Sequence, residues 1–220
     1  MTAKHLISES IPPLKTSDTG EKAITWMNEL HIAHLPIVNN KKLLGVITED
    51  DILDLTHPEL TIEKQALSLA RPFVYAHQHL YDVIKIVSDL QLTAIPVVDE
   101  NEEYVGLITL ERIIQQFAQL SSVQEPGGLI MLVMSTKDYS LAEIAQIVES
   151  NDASVLSAYV SSHTDSTKLE VTIKVNRLDL RQIIATFERY EYNVAASVQE
   201  SDHYDYLKDR LDSLMNYLNT

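Results

Sequence analysis

The sequence predicts a mixed α/β (α+β) chain: a duplicated α/β unit, then a βαββαβ sandwich, then a terminal helix. Three observations predict it. One stretch of the first half repeats at an offset of 60 residues, the second half alternates strand and helix periods in the order βαββαβ, and a leucine stripe runs along the last 20 residues. The boundaries expected are 1–60 and 61–122 for the two copies, 127–200 for the sandwich and 201–220 for the helix.

The repeat is seen by aligning residues 21–30 (EKAITWMNEL) with 81–90 (YDVIKIVSDL). Apolar residues coincide at Ala23/Val83, Ile24/Ile84, Trp26/Ile86, Met27/Val87 and Leu30/Leu90, a helical spacing with one inward face. Leu35-Pro36-Ile37-Val38 then pairs with Ile95-Pro96-Val97-Val98, each a short β-branched run that reads as a strand opened by proline. A polar turn follows, one residue longer in the second copy. Gly45-Val46-Ile47-Thr48 next matches Gly106-Leu107-Ile108-Thr109, a strand running into a helix through a Thr suited to an N-cap. Upstream, Ile11-Pro12-Pro13-Leu14 matches Arg71-Pro72-Phe73-Val74 as an extended lead-in. Core filling alone would account for these apolar positions.

Ser121 to Gly128 is the clearest boundary signal, with Pro126-Gly127-Gly128 at its end. Beyond it the sequence reads as a strand at 129–134, a helix at 140–150 with Leu141, Ile144, Ala145 and Val148 on one face, and a strand at 155–160. Leu169, Val171, Ile173 and Val175 alternate strictly, which predicts a half-buried strand. Leu180, Ile183, Ile184 and Phe187 mark a helix, and 194–198 a last strand. That order is the ferredoxin-like sandwich. Leu207, Leu211, Leu214 and Leu218 form one stripe of a terminal helix, suited to packing on the sheet or to self-association.

Seventeen Lys and Arg face 32 Asp and Glu, a net charge of −15, divided near Leu120 as 9 against 17 and 8 against 15. An acidic field spread over the whole chain opposes phosphate backbones, so no nucleic-acid partner is expected. With no cysteine there is no disulfide and no thiolate metal site. His77 and His79 attract no further ligands in sequence, so no metal is expected. The first residues carry no apolar run like a signal peptide and no stretch approaches a spanning helix, so the expectation is a cytoplasmic protein with no membrane partner. No nucleophile elbow, P-loop, dinucleotide fingerprint or zinc spacing occurs, and the chain is expected not to be an enzyme.

The proline-opened strand, turn and Gly-hydrophobic-hydrophobic-Thr run, present in duplicate and completed by x-x-Asp in the first copy, resembles a tandem pair of CBS domains. The resemblance covers about residues 1–120. It implies two units related by pseudo-twofold symmetry with two clefts between their sheets, which commonly hold AMP, ADP, ATP or S-adenosylmethionine as a regulatory ligand; no cofactor is required. Chemistry fits the motif. Thr48 offers a hydroxyl at a helix start and Asp51 projects one turn on, where a carboxylate accepts from both ribose hydroxyls and a helix N-terminus favours phosphate. Ile11, Pro13, Leu35 and Ile37 are the candidates to flank adenine. Thr48 and Asp51 also read simply as an N-cap with an acidic first turn. His34, before Leu35-Pro36, is a candidate phosphate contact or a half-buried histidine.

The second copy departs from the motif at Arg112, which stands where Asp is expected, so Phe73, Val97, Thr109 and Arg112 make up a weaker, altered or empty second site. Arg112 is a candidate for a phosphate or for plain surface. With so few cations, a monophosphate or the sulfonium ligand is expected before ATP. The βαββαβ order resembles an ACT domain, although the turn at 136–140 lacks the glycine that family usually places there, which favours a dimerising role over amino-acid binding. A CBS pair with an ACT-like domain resembles the bacterial acetoin-utilisation accessory proteins and implies a homodimeric regulator acting on a metabolic enzyme partner. A ligand-independent interaction protein with vestigial clefts is the alternative.

Overall fold

Thr19 starts helix α1 (Gly20–Leu30) by accepting the Lys22 N–H at its hydroxyl, 3.2 Å away, and Ala23 and Met27 form its buried face. The antiparallel pair β1 (His34–Asn39) and β2 (Lys42–Thr48) follows, then the short helix α2 (Glu49–Leu53). The second copy repeats this plan with β3 (Val74–Tyr75), α3 (Leu80–Asp89), β4 (Ala94–Val98), β5 (Tyr104–Thr109) and α4 (Leu110–Leu120). These elements come from a computed structural model that describes residues 1–8, 11–65, 67 and 69–198. They make one compact unit, Met1–Phe117, and a second begins at Ala118, inside α4.

The repeat extends to details of backbone. Each long helix gives way to a left-handed non-glycine residue, His31 (φ 53°) and Gln91 (φ 51°), and each hairpin carries a bulge at the same place, Ile37/Val38 and Val97/Val98. Leu14 pairs in parallel with Ile37, as Val74 does with Val97, so each lead-in adds a strand to its own copy. Pro36 and Pro96 stand third in their strands, not first as the sequence suggests. On the lead-in side of β1 only Leu14 pairs, donating to the Pro36 carbonyl at 2.9 Å. The missing proline N–H therefore opens no ladder bond.

Further upstream the lead-ins cross over. Ser8 bridges Leu107 of the second copy (N···O 2.8 Å), and Ala70 bridges Val46 of the first (N···O 2.9 Å). Ala3 and Leu6, both fully buried, sit in the second copy's core with Leu80, Val83, Ile95 and Ile108. Leu107 and Ala94 in turn belong to the first copy's core with Leu14, Leu35 and Ile47. The motif glycines make the crossing close. A Cβ on Gly45 would lie 2.6 Å from Leu69 Cβ and 3.0 Å from the Ala70 carbonyl, and one on Gly106 would run into Ile7.

In the second unit β6 (Gly128–Ser135), α5 (Leu141–Glu149), β7 (Val155–Ser162), β8 (Lys168–Val175), α6 (Arg181–Arg189) and β9 (Asn193–Val198) follow in the expected order. The antiparallel sheet runs β7-β8-β6-β9. Its core joins Ile130, Leu132, Val171 and Ile173 to Ile144, Val148, Ile183 and Phe187 of the helices. Two expectations need correction. Leu141 is exposed and Ile147 buried, so the inward face of α5 is turned from the one the sequence suggested. Strand β8 is not half-buried, because Thr172 and Lys174 are also covered. Residues 121–123 lie over that face: Lys174 Nζ donates to the Val123 carbonyl (3.1 Å) and Ser157 Oγ to that of Ser121 (3.0 Å). The terminal helix expected over 202–218 lies outside the described residues.

The crossing at Gly45 predicts the cost of filling it. Gly45→Ala should lower stability by about 1–3 kcal/mol in chemical denaturation, the range for overpacking. It should also remove hydrogen-exchange protection at the Val46 amide. Full stability together with full protection would show that the crossing segment is not held against the motif.

Candidate functional site

Both copies end their second strand on the motif threonine, but its hydroxyl is used differently in each. Thr48 and Asp51 form a closed box. Asp51 Oδ2 accepts from the Thr48 N–H (2.8 Å) and hydroxyl (2.7 Å), while the Asp51 N–H donates to Thr48 Oγ1 (3.0 Å). Both residues are half-buried, and Asp51 Oδ1 takes no hydrogen bond from the described residues. Helix α2 has five residues, too few to supply the dipolar phosphate site the sequence suggested. In the second copy the Arg112 N–H donates to Thr109 Oγ1 (3.3 Å), and no carboxylate bonds back. Thr109 is buried, Arg112 half-buried.

His34 is engaged between the copies. Its Nδ1 accepts the Thr93 N–H at 3.2 Å and lies 2.9 Å from Thr93 Oγ1, which in turn accepts the Ala33 N–H at 2.8 Å. Burial lowers the His34 pKa, against the opposing pull of Asp51 and Asp50. A neutral ring with its acceptor nitrogen committed is not a phosphate-binding cation, which corrects that reading of His34. The sequence comparison matched His34 to Ala94 and passed over Thr93, whose partner becomes visible only when the two copies are placed together.

Three other candidates also change role. Leu35, Ile37 and Val97 are at most 1% exposed and belong to the cores, so they have no surface to offer an adenine ring. Phe73 is half-buried, edge-on to Tyr75 at 5.4 Å and beneath the Arg71 guanidinium at 5.3 Å.

Ile11 and Pro13 are accessible, but they face the second motif, not Thr48 and Asp51. They border a cleft of about 1020 Å³ with Pro12, Tyr104, Gly106 and Arg112, reached also by Lys4 and His5. A second cleft of about 830 Å³ shares Ser8 and Ile11 and runs past His31, Thr93, Thr109 and Glu111. The crossing of Ser8 onto Leu107 is the cause, because it lays the first lead-in over the second copy's strand.

The larger cleft is electrostatically set apart. Lys4, His5 and Arg112 line it and no Asp or Glu does among the described residues, in a chain of net charge −15. Tyr104 lines it too, and its buried hydroxyl has no hydrogen-bond partner among the described residues. Among those residues no cluster of three His, Asp or Glu is placed to hold a metal ion, and no helix is long and apolar enough to cross a membrane.

An uncharacterised protein of Methanocaldococcus jannaschii is 30% identical over 122 residues, which are 48% of this chain and 40% of that protein. The chain therefore spans less than half of that relative. Among solved structures, a CBS domain pair/ACT domain protein of Thermotoga maritima is 20% identical with a TM-score of 0.48, covering 54% of this chain and 98% of that one. A Vibrio cholerae protein with a proposed role in acetoin utilization is 24% identical with a TM-score of 0.49, covering 57% and 96%. The sequence profile of the CBS domain matches residues 3–57 and again 69–119, the two copies of the repeat. The first half of this chain is a tandem pair of CBS domains.

Proposed function

We propose that the chain is a regulatory sensor that binds an adenosine-containing ligand in the cleft between the first lead-in and the second motif. CBS pairs commonly bind adenosine ligands, and tandem pairs are generally regulatory and not catalytic. One observation carries the reading. Pro12 and Pro13 offer an apolar wall opposite Arg112 in a cleft of about 1020 Å³ that collects cations in an acidic protein. That is the make-up of a nucleotide pocket, with apolar sides and a few placed polar groups. Thr109 lies in the adjoining cleft and provides a hydroxyl. Asp51, with Oδ1 open, is the candidate ribose acceptor of the other site.

The rest of the reading keeps the division into 1–60, 61–122 and 127–200. The second unit's strand order supports a ferredoxin-like, ACT-like domain. A cytoplasmic homodimer acting on a metabolic enzyme partner completes the proposal. Helix α4 supports self-association, since Leu110, Ile114 and Phe117 are 41%, 60% and 49% exposed along one face. The same face favours a second reading, a ligand-independent interaction protein, because the Asp51 carboxylate is already held by its cap and the second motif has none.

Calorimetric titration with AMP, ADP, ATP and S-adenosylmethionine separates the two. Ile11→Asp, which puts a carboxylate beside both clefts, should weaken binding at least tenfold. A Thr48→Ala/Asp51→Ala double variant should retain the Arg112-side site. Binding of none of the four, or loss only in the double variant, would overturn the assignment of the site. For assembly, Phe117→Glu should turn a dimer into a monomer in sedimentation velocity without loss of ligand. A wild-type monomer would remove the homodimer from the reading.

A further inference from the structure

We infer that the cleft at Arg112 is built for the phosphate chain of a nucleoside polyphosphate, which it takes in preference to a monophosphate or a sulfonium ligand. The inference rests on the adenosine reading above and goes further by naming the charged end of the ligand. It begins with Arg112, which stands where the first copy has Asp51. A carboxylate accepts hydrogen bonds from ribose hydroxyls, whereas a guanidinium has five donors and no acceptor. The exchange removes sugar recognition at that position and introduces the side chain best matched to paired phosphate oxygens.

Residues distant in sequence reinforce it. Lys4 and His5 come from the N-terminal segment that Ser8 pins across the second copy, and Tyr104 comes from the strand beneath. The Tyr104 hydroxyl is buried without a partner among the described residues, a state that buried polar groups rarely keep unless something completes it. Burial raises the phenol well above its ordinary range, so the group keeps its proton and can donate to an anion. Two cationic side chains brought together from distant parts of the chain, Lys4 and Arg112, suit several negative charges on one ligand. They repel a sulfonium. This reading runs against the preference for a monophosphate or sulfonium that the chain's few cations suggest.

The test is calorimetry at fixed ionic strength on the full chain, with ATP, ADP, AMP, S-adenosylmethionine, inorganic phosphate and inorganic tripolyphosphate as probes. Wild-type protein should bind ATP at least tenfold more tightly than AMP, and tripolyphosphate more tightly than phosphate. Arg112→Gln should bring ATP and AMP within about threefold of each other. Tyr104→Phe should weaken ATP about three- to tenfold while leaving the unfolding midpoint unchanged, since in the free protein that hydroxyl bonds to nothing described. Equal binding of AMP and ATP by the wild type, tighter binding of S-adenosylmethionine than of ATP, or an ATP preference that survives Arg112→Gln would overturn the inference while leaving an adenosine site. Arg112-dependent binding of tripolyphosphate with no preference for any adenosine compound would keep the phosphate site and remove the adenosine reading. If no probe binds, both fall.

Discussion

The exchange of lead-in segments between the two copies fixes most of what the first unit presents. Ser8 pairs with Leu107 and Ala70 with Val46, over glycines where a side chain would collide with the crossing segment. Because Ala3 and Leu6 fill the second core and Leu107 and Ala94 the first, neither copy completes its apolar interior alone. Burial of these side chains stabilises the pair as a unit, each contributing on the order of 1.5–3 kcal/mol for the large aliphatics before entropy is counted. The same crossing sets the wall of the larger cleft, since the first lead-in, laid over the second copy's strand, brings Pro12 and Pro13 beside Arg112.

The geometric duplication therefore carries two different chemistries. Around the first motif, Asp51 closes on Thr48 through Oδ2, and His34 accepts from Thr93. A neutral imidazole beside Asp50 and Asp51 leaves that end without a compensating cation, which disfavours a highly charged anion. Around the second motif the guanidinium is tied to no carboxylate among the described residues, and Lys4 joins it from a distant part of the chain. In an acidic protein such a concentration of positive charge raises the local concentration of anions and directs their approach.

The duplication was legible in the sequence because helical and strand periods repeat locally, and an offset of 60 survives from Leu14/Val74 to Ile37/Val97. The cap at Thr48 and the βαββαβ order were legible for the same reason. What escaped was everything set by contact between distant segments. Ile11 and Pro13 were grouped with Thr48 as members of one copy, although the crossing gives them to Arg112. Leu35, Ile37 and Val97 looked like ligand walls because an apolar strand residue reads alike in a core and in a pocket. Lys174 alternates outward on β8 yet is covered by residues 121–123, and strand periodicity carries no information about a segment lying across the sheet.

Helix α4 connects the two surfaces on which the proposed activity depends. Its first turn carries Arg112 at the cleft, and Ile114 and Phe117 project from the next turns as exposed apolar groups. At 1.5 Å per residue Arg112 and Phe117 are about 7.5 Å apart along the axis. A phosphate held by Arg112 would therefore act on the helix that bears the exposed apolar face. Linkage then follows without any long-range pathway. If a partner or a second copy grips α4 differently in the loaded and empty states, ligand affinity and assembly must shift each other by the same free energy. Ile113, between the two surfaces in sequence, is buried in the second core and anchors α4 there.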